Sequence, residues 1–80
     1  MFLLDNMLLY LYKEIDMESL TEREMTVFYY IVKGFSNGEI AQELNISYHT
    51  AKSHVSAIYR KLSAKNRAEL AYWAGKNNLF

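Results

Sequence analysis

The sequence contains no cysteine and no proline, and it has only three glycines in 80 residues. The lack of cysteine excludes disulfide bonds, thiolate metal sites and cysteine nucleophiles, and it fits a reducing compartment. With so few helix-breaking residues, long segments carry uninterrupted helical spacing, which favours an all-α chain. We expect no metal and no cofactor, because His49 and His54 do not share a helix face and no cysteine or carboxylate completes a ligand set.

Long apolar runs are missing as well. The most apolar stretch, Met7 to Tyr12, has six residues, whereas a membrane-spanning helix needs about 20. The N-terminus lacks a basic start and Asp5 interrupts its apolar residues, so no signal peptide is predicted. We therefore expect a cytoplasmic protein without a membrane partner. We also expect no enzyme, because so short a chain rarely holds both a core and a catalytic cleft and no nucleophile–base pattern is present.

Charge is divided unevenly along the chain, although the net charge is zero. Residues 1–44 hold three basic and eight acidic residues, whereas residues 45–80 hold six basic residues and Glu69 as their one acid, a net of +5. Such a split indicates either that the C-terminal half meets a polyanion or that the two halves attract each other. Charge alone leaves both interpretations open.

Residues 1–16 have the spacing of an apolar helix. Steps of four and three residues give a narrow seam, formed by Leu4, Leu8, Leu11 and Ile15. A segment this apolar favours a protein partner over water. We therefore predict that residues 1–19 form a dimerisation or docking helix with its linker, placed before a separate domain at residues 20–80.

Capping motifs predict the helices of that domain. Thr21 with Glu24 forms a capping box, and Gly34 is suited to end the helix that follows. Ser36 with Glu39 repeats the box at the start of a short helix. Asn45 then provides a left-handed stop.

Two further helices follow. Ser47 caps a helix predicted over 48–62, and Asn66 can cap a fourth helix that we expect to end at Gly75. Leu79 and Phe80 are expected to fold back over the core. The third helix has an apolar inward face formed by Ala51, Val55, Ile58 and Leu62.

A short helix, a tight turn with one apolar residue and a longer helix are the parts of a helix-turn-helix, here at about residues 35–54. The longer helix has no acidic residue, and its outward face carries Lys52, Ser53, Ser56 and Arg60. The N-terminus of the short helix, at Ser36 and Asn37, offers backbone N–H groups to a phosphate. Lys65 continues the basic character beyond the third helix. These features favour DNA binding over a plain helical bundle.

Five sequence blocks in fixed order strengthen this interpretation. They are Leu20–Glu24, Lys33–Ala41, Leu44–Ser47, Thr50–His54 and Lys61–Arg67. Together they resemble the DNA-binding domain of the LuxR/FixJ/GerE family of bacterial transcription regulators, over residues 20–75 without a gap.

The resemblance implies a four-helix domain that binds double-stranded DNA as a homodimer, with the third helix in the major groove and the fourth at the dimer contact. By position it implies base contacts from Lys52, Ser53 and Ser56. Including the residues named above, we expect backbone contacts from Ser36, Asn37, Ser47, Thr50, His54, Arg60, Lys61 and Lys65. The implied dimer contacts in the fourth helix are Leu70, Ala71 and Ala74.

The chain also departs from the family pattern. Ala51 replaces a more usual valine, and Gly38 stands where a basic residue is common. Ser63 replaces a common glycine at the end of the third helix, so a left-handed backbone there would strain the serine. A second function class stays open: a protein–protein interaction module that uses the N-terminal helix and the fourth helix without binding DNA.

Overall fold

The computed structural model describes residues 19–80, and within that range the chain forms four α-helices and no strand. They are α1 (Glu22–Val32), α2 (Asn37–Leu44), α3 (Tyr48–Lys61) and α4 (Arg67–Lys76). The all-α expectation is confirmed for this part of the chain. The predicted helix at residues 1–16, with its apolar seam, lies outside the described residues.

Both predicted capping boxes are present. The Thr21 hydroxyl accepts a hydrogen bond from the Glu24 N–H at 3.1 Å, and the Glu24 carboxylate accepts one from the Thr21 N–H at 3.0 Å. Ser36 and Glu39 exchange the equivalent bonds at 3.2 and 2.8 Å. Each box satisfies backbone N–H groups that a helix start leaves unpaired, so short helices begin at defined residues.

Single caps begin the other two helices. Ser47 accepts from the Thr50 N–H at 3.0 Å, and Asn66 accepts from the Glu69 N–H at 3.0 Å. The predicted starts of α3 and α4 are thereby confirmed.

Left-handed residues follow the first three helices. Gly34 has φ +95°, Asn45 φ +56° and Ser63 φ +53°. Ser63 therefore has the left-handed backbone that glycine adopts easily and that strains a serine. The expectation that Gly75 ends α4 is wrong: the helix includes Gly75 and runs to Lys76, and the left-handed residue is Asn78, with φ +56°.

One core joins the helices, because α3 packs against both α1 and α2 while α4 packs on α1. The buried apolar residues are Leu20, Val27, Phe28, Ile31, Ile40, Ala41, Ala51, Ile58, Leu62, Leu70, Trp73 and Ala74. The C-terminus folds back as expected, since the ring of Phe80 packs edge-on against Phe28 and Tyr29 with centroids 5.4 and 5.2 Å away.

Gly34, which is left-handed, and Gly75, which is helical, give a matched test of stability. A Cβ added at Gly75 or at Gly34 would meet no atom within 4 Å. Gly75→Ala should raise the free energy of unfolding by about 0.5–1 kcal/mol, because alanine is the better residue inside a helix. Gly34→Ala should lower it by about 1–2 kcal/mol, because the left-handed backbone strains alanine. Urea unfolding of both variants checks the signs, and changes of equal sign would contradict the assignment of Gly75 to α4.

Candidate nucleic-acid interface

The turn between α2 and α3 sets the position and direction in which α3 begins. Asn45 is left-handed, and the Ile46 N–H donates to the Ala41 carbonyl at 3.0 Å. Ile46 is half-buried and packs against the core. The three residues 45–47 thus reverse the chain and bring Ser47 to the start of α3. This is the short, apolar-anchored turn of a helix-turn-helix.

Helix α3 has one buried face and one exposed face. Ala51 and Ile58 are fully buried. On the opposite side the side chains are exposed: Lys52, Ser53, Ser56 and Arg60. Because α3 contains no carboxylate, its exposed face carries positive charge and hydroxyl groups without local repulsion of phosphates.

Val55 differs from its predicted inward position. It is half-buried rather than buried, and it lines an open cleft of about 610 Å³ beside α3. Four predicted DNA-contacting residues meet at this cleft, namely Ser36, Asn37, Lys52 and Ser56. The fold therefore joins the N-terminus of α2 to the middle of α3.

The cleft also contains two side chains that were not among the predicted contacts, Tyr59 and Arg67. Tyr59 follows Lys52 and Val55 by seven and four residues, so helical spacing placed it on their face. No sequence signal connected Arg67 to this place. A further exposed aromatic, Tyr48, lies at the first residue of α3 with 57% of its surface accessible.

The remaining expected backbone contacts lie at both ends of α3. At its start, Ser47 and Thr50 are exposed, and the Ser47 hydroxyl donates to the Thr50 hydroxyl at 2.9 Å. Lys65 is exposed beyond the C-terminus of α3, whereas His54 is half-buried. The structure thus spreads these residues along α3 instead of gathering them at one point.

Lys61 has a protein partner. Its ammonium group lies 2.8 Å from the Glu24 carboxylate and 3.4 Å from the Ser19 carbonyl oxygen. Burial alone raises the pKa of Glu24, but the hydrogen bonds from Lys61 and Thr21 and the charges of Lys61 and His54 outweigh it, so the pKa lies below its usual value. The pair ties the end of α3 to the start of α1, which gives Lys61 a structural role that its sequence position did not show.

Arg67 is also engaged within the domain. Its Nη1 donates to the Ile31 carbonyl at 2.6 Å and its Nη2 to the Phe35 carbonyl at 2.7 Å. A cation at these carbonyls complements the C-terminal end of α1, which has no basic residue in its own last turn.

The expected dimer contacts in α4 differ in their exposure within the single chain. Leu70 and Ala74 are buried in the core of the chain itself, where α4 packs on α1. In the single chain these two side chains contribute to the core. Ala71 is exposed, as is its neighbour Tyr72.

Within residues 19–80, no group of three or more His, Asp or Glu side chains is arranged to hold a metal ion. In the same part of the chain, every helix is too short or too polar to cross a membrane.

Removing the Lys61 ammonium tests its role in stability. Lys61→Met should lower the free energy of unfolding by about 1–3 kcal/mol at neutral pH, because a hydrogen-bonded, largely buried carboxylate loses its cation. Since the folded pKa of Glu24 is lowered, its stabilisation is present above the unfolded pKa of about 4.3 and is lost as the pH falls through the folded pKa.

The difference between wild type and Lys61→Met should therefore shrink in that acidic range, which denaturant unfolding between neutral and acidic pH measures. Arg23→Met is the control, because it removes an exposed positive charge beside Glu24. A pH-independent difference for Lys61→Met would contradict the ion pair.

The sequence of this domain is similar to those of known proteins. The model of the family described as bacterial regulatory proteins, luxR family, matches residues 18–74. Similar relatives are the proteins named "Response regulator protein VraR" of Staphylococcus aureus, Staphylococcus saprophyticus and Staphylococcus epidermidis. Each is 45% identical over 62 residues, which cover 78% of this chain and 30% of the relative.

The chain thus spans under a third of the length of the relatives it matches. The match covers all four described helices except the last residues of α4. Of the two function classes that the sequence left open, this match supports DNA binding. The chain belongs to the luxR family of bacterial regulatory proteins, and its residues 18–74 form the DNA-binding domain of that family.

Proposed function

We propose that the domain recognises a specific sequence in double-stranded DNA by placing α3 in the major groove. The observation that carries this proposal is the exposed, acid-free face of α3, which adjoins the N-terminus of α2 across one cleft. The major groove of DNA admits an α-helix, and each base pair presents there a distinct pattern of hydrogen-bond donors and acceptors.

Base contacts are assigned to Lys52, Ser53 and Ser56, which are all exposed on α3. The Lys52 ammonium can donate to the O6 and N7 acceptors of guanine, whereas a serine hydroxyl can donate or accept at several bases. Lys52 should therefore contribute most of the direct discrimination. The shape and deformability of the DNA would contribute the rest.

Phosphate contacts are assigned to groups on both sides of these residues. Asn37, the first residue of α2, lines the cleft, where a phosphate would meet the positive end of the helix. Thr50 and Ser47 add hydroxyls at the start of α3, and Arg60 and Lys65 add exposed positive charge near its end. Such contacts fix the register of the protein on the duplex.

We further propose that the protein acts as a two-fold dimer. An 80-residue chain is marginal as an isolated unit, and residues 1–16 offer the apolar seam described above. On α4, the exposed Ala71 can add to the contact in place of the buried Leu70 and Ala74. Two recognition helices would then meet half-sites about one helical turn apart.

The role that follows is control of transcription in the cytoplasm, without catalysis by this domain. It is supported by relatives named as response regulators. Selection of bound sequences from random duplex DNA tests the proposal, and a palindromic site with half-sites about 10 base pairs apart is the expected result. Recovery of no common sequence would contradict specific recognition.

Two substitutions separate base contacts from phosphate contacts. Lys52→Ala should weaken binding to the selected duplex by about 1–3 kcal/mol and relax the preference at one base step. Lys65→Ala should weaken selected and random duplexes alike and should lower the slope of affinity against salt concentration by about one. Titrations by fluorescence anisotropy at several salt concentrations measure both. Equal losses on selected and random DNA for both variants would refute the division.

Deleting residues 1–16 tests the proposed dimer element. The truncated chain should keep its fold, because the described core is formed by residues 20–74, but its dimer should dissociate at lower concentration than that of the full chain. Sedimentation equilibrium measures both dimer affinities. A full chain that stays monomeric at high concentration, or a truncation that leaves the dimer unchanged, would show that the seam is not the dimer element.

A further inference from the structure

One side chain connects three parts of the domain. Arg67 is the first residue of α4, and its two terminal nitrogens donate to the carbonyls of Ile31 and Phe35 at 2.6 and 2.7 Å. Ile31 belongs to the last turn of α1, and Phe35 directly precedes Ser36, the N-cap of α2. Arg67 therefore joins α4 to the end of one helix and to the start of the next.

The connection that Arg67 holds contains a conformationally permissive residue. Gly34, with φ +95°, lies between the two carbonyls that the guanidinium contacts. The backbone closes this turn with a bond from the Phe35 N–H to the Tyr30 carbonyl at 2.9 Å. The Phe35 carbonyl accepts a hydrogen bond from Arg67, and the Ser36 N–H of the same peptide unit donates to the Glu39 carboxylate at 2.8 Å. The arginine and the capping box therefore hold the peptide unit that leads into α2 from its two sides.

This peptide unit directly precedes the residues that are expected to contact a phosphate, so its position determines theirs. Ser36 and Asn37 follow Phe35 immediately and line the cleft with Lys52 and Arg67. Because a guanidinium presents several donors in one rigid plane, it can satisfy two carbonyl oxygens at once, which the single nitrogen of a lysine side chain does poorly. One N–H group of each terminal nitrogen is then used within the protein.

We propose that Arg67 is a positioning residue for DNA binding: it holds the N-terminus of α2 at the place, relative to Lys52 on α3, where both meet the duplex. It acts through the backbone of Phe35 and not as a phosphate ligand of its own. This inference rests on the proposed function of the α2 N-terminus.

Arg67→Lys should weaken DNA binding as much as Arg67→Met. Lysine keeps the positive charge but loses the planar pair of donors, so both variants should weaken binding to the selected duplex by about tenfold, as expected when hydrogen bonds to a charged group are lost. The slope of affinity against salt concentration should stay that of the wild type. A direct phosphate contact would instead let lysine restore binding, and methionine would lower the slope by about one.

Amide hydrogen exchange in the free protein provides a test that does not depend on DNA. In both Arg67 variants, the N–H groups of Phe35, Glu39 and Ile40 should exchange faster, because they lie in or next to the connection that loses its restraint. The N–H groups of Thr50 and Ala51 at the start of α3 should exchange as in the wild type. Lys33→Met is the control, since it removes a positive charge near the connection without touching the two Arg67 bonds.

Each result has a defined meaning. Local acceleration in α2, with tenfold weaker binding at an unchanged salt slope, supports the positioning role. Uniform acceleration across all four helices, rescue by lysine, or wild-type exchange in α2 overturns it. If the wild-type protein itself binds no duplex selectively, the proposed function fails, and the exchange experiment still decides whether Arg67 holds the start of α2.

Discussion

The burial of one face of α3 is the constraint on which the domain depends. Ala51, Ile58 and Leu62 lie in the core, where α3 packs against α1 and α2 together. Removing these apolar side chains from water fixes the rotation of α3 about its own axis, because any other rotation would expose them. The exposed side of the helix is thereby selected at the same time. The face that is proposed to contact DNA is therefore a consequence of the face that forms the core.

Two charged side chains hold the ends of α1 to the rest of the domain. At the start of α1, Glu24 completes a capping box and receives the Lys61 ammonium from the end of α3. At the C-terminal end of α1, the carbonyls of Ile31 and Phe35 receive Arg67 from the start of α4. Largely buried or charge-assisted bonds of this kind are directional, whereas the apolar core is not. They therefore contribute orientation to a domain whose core contributes most of its stability.

These bonds show which basic residues of the C-terminal half have partners within the domain. One ion pair joins the basic C-terminal half to the acidic N-terminal half, and other basic residues of the C-terminal half are exposed. Lys61 contacts an acid of the N-terminal half, and Arg67 contacts backbone carbonyls preceding α2. Lys52, Arg60 and Lys65 lie at exposed positions, where a polyanion can reach them. The same composition thus supplies internal attraction and an exposed positive charge.

Local sequence determined where the described helices begin and how most of them end. Thr21, Ser36, Ser47 and Asn66 bond to backbone within a few residues, so the pattern alone predicts them. The outward face of α3 followed from helical spacing. Gly75 was misassigned because a glycine is compatible both with a helix end and with an exposed helix interior, and the sequence does not distinguish them.

The tertiary structure decided what each polar or apolar residue faces. Leu70 and Ala74 lie in the core because α4 packs on α1, and the roles of Lys61 and Arg67 depend on partners 37 and 36 residues away. The cleft that brings Ser36 and Lys52 together likewise exists because α2 packs against α3. Spacing along a helix is a local property, but contact between helices depends on the packing of the whole domain. For that reason the sequence determined the helices and the family, and the packing decided which side chains stay exposed.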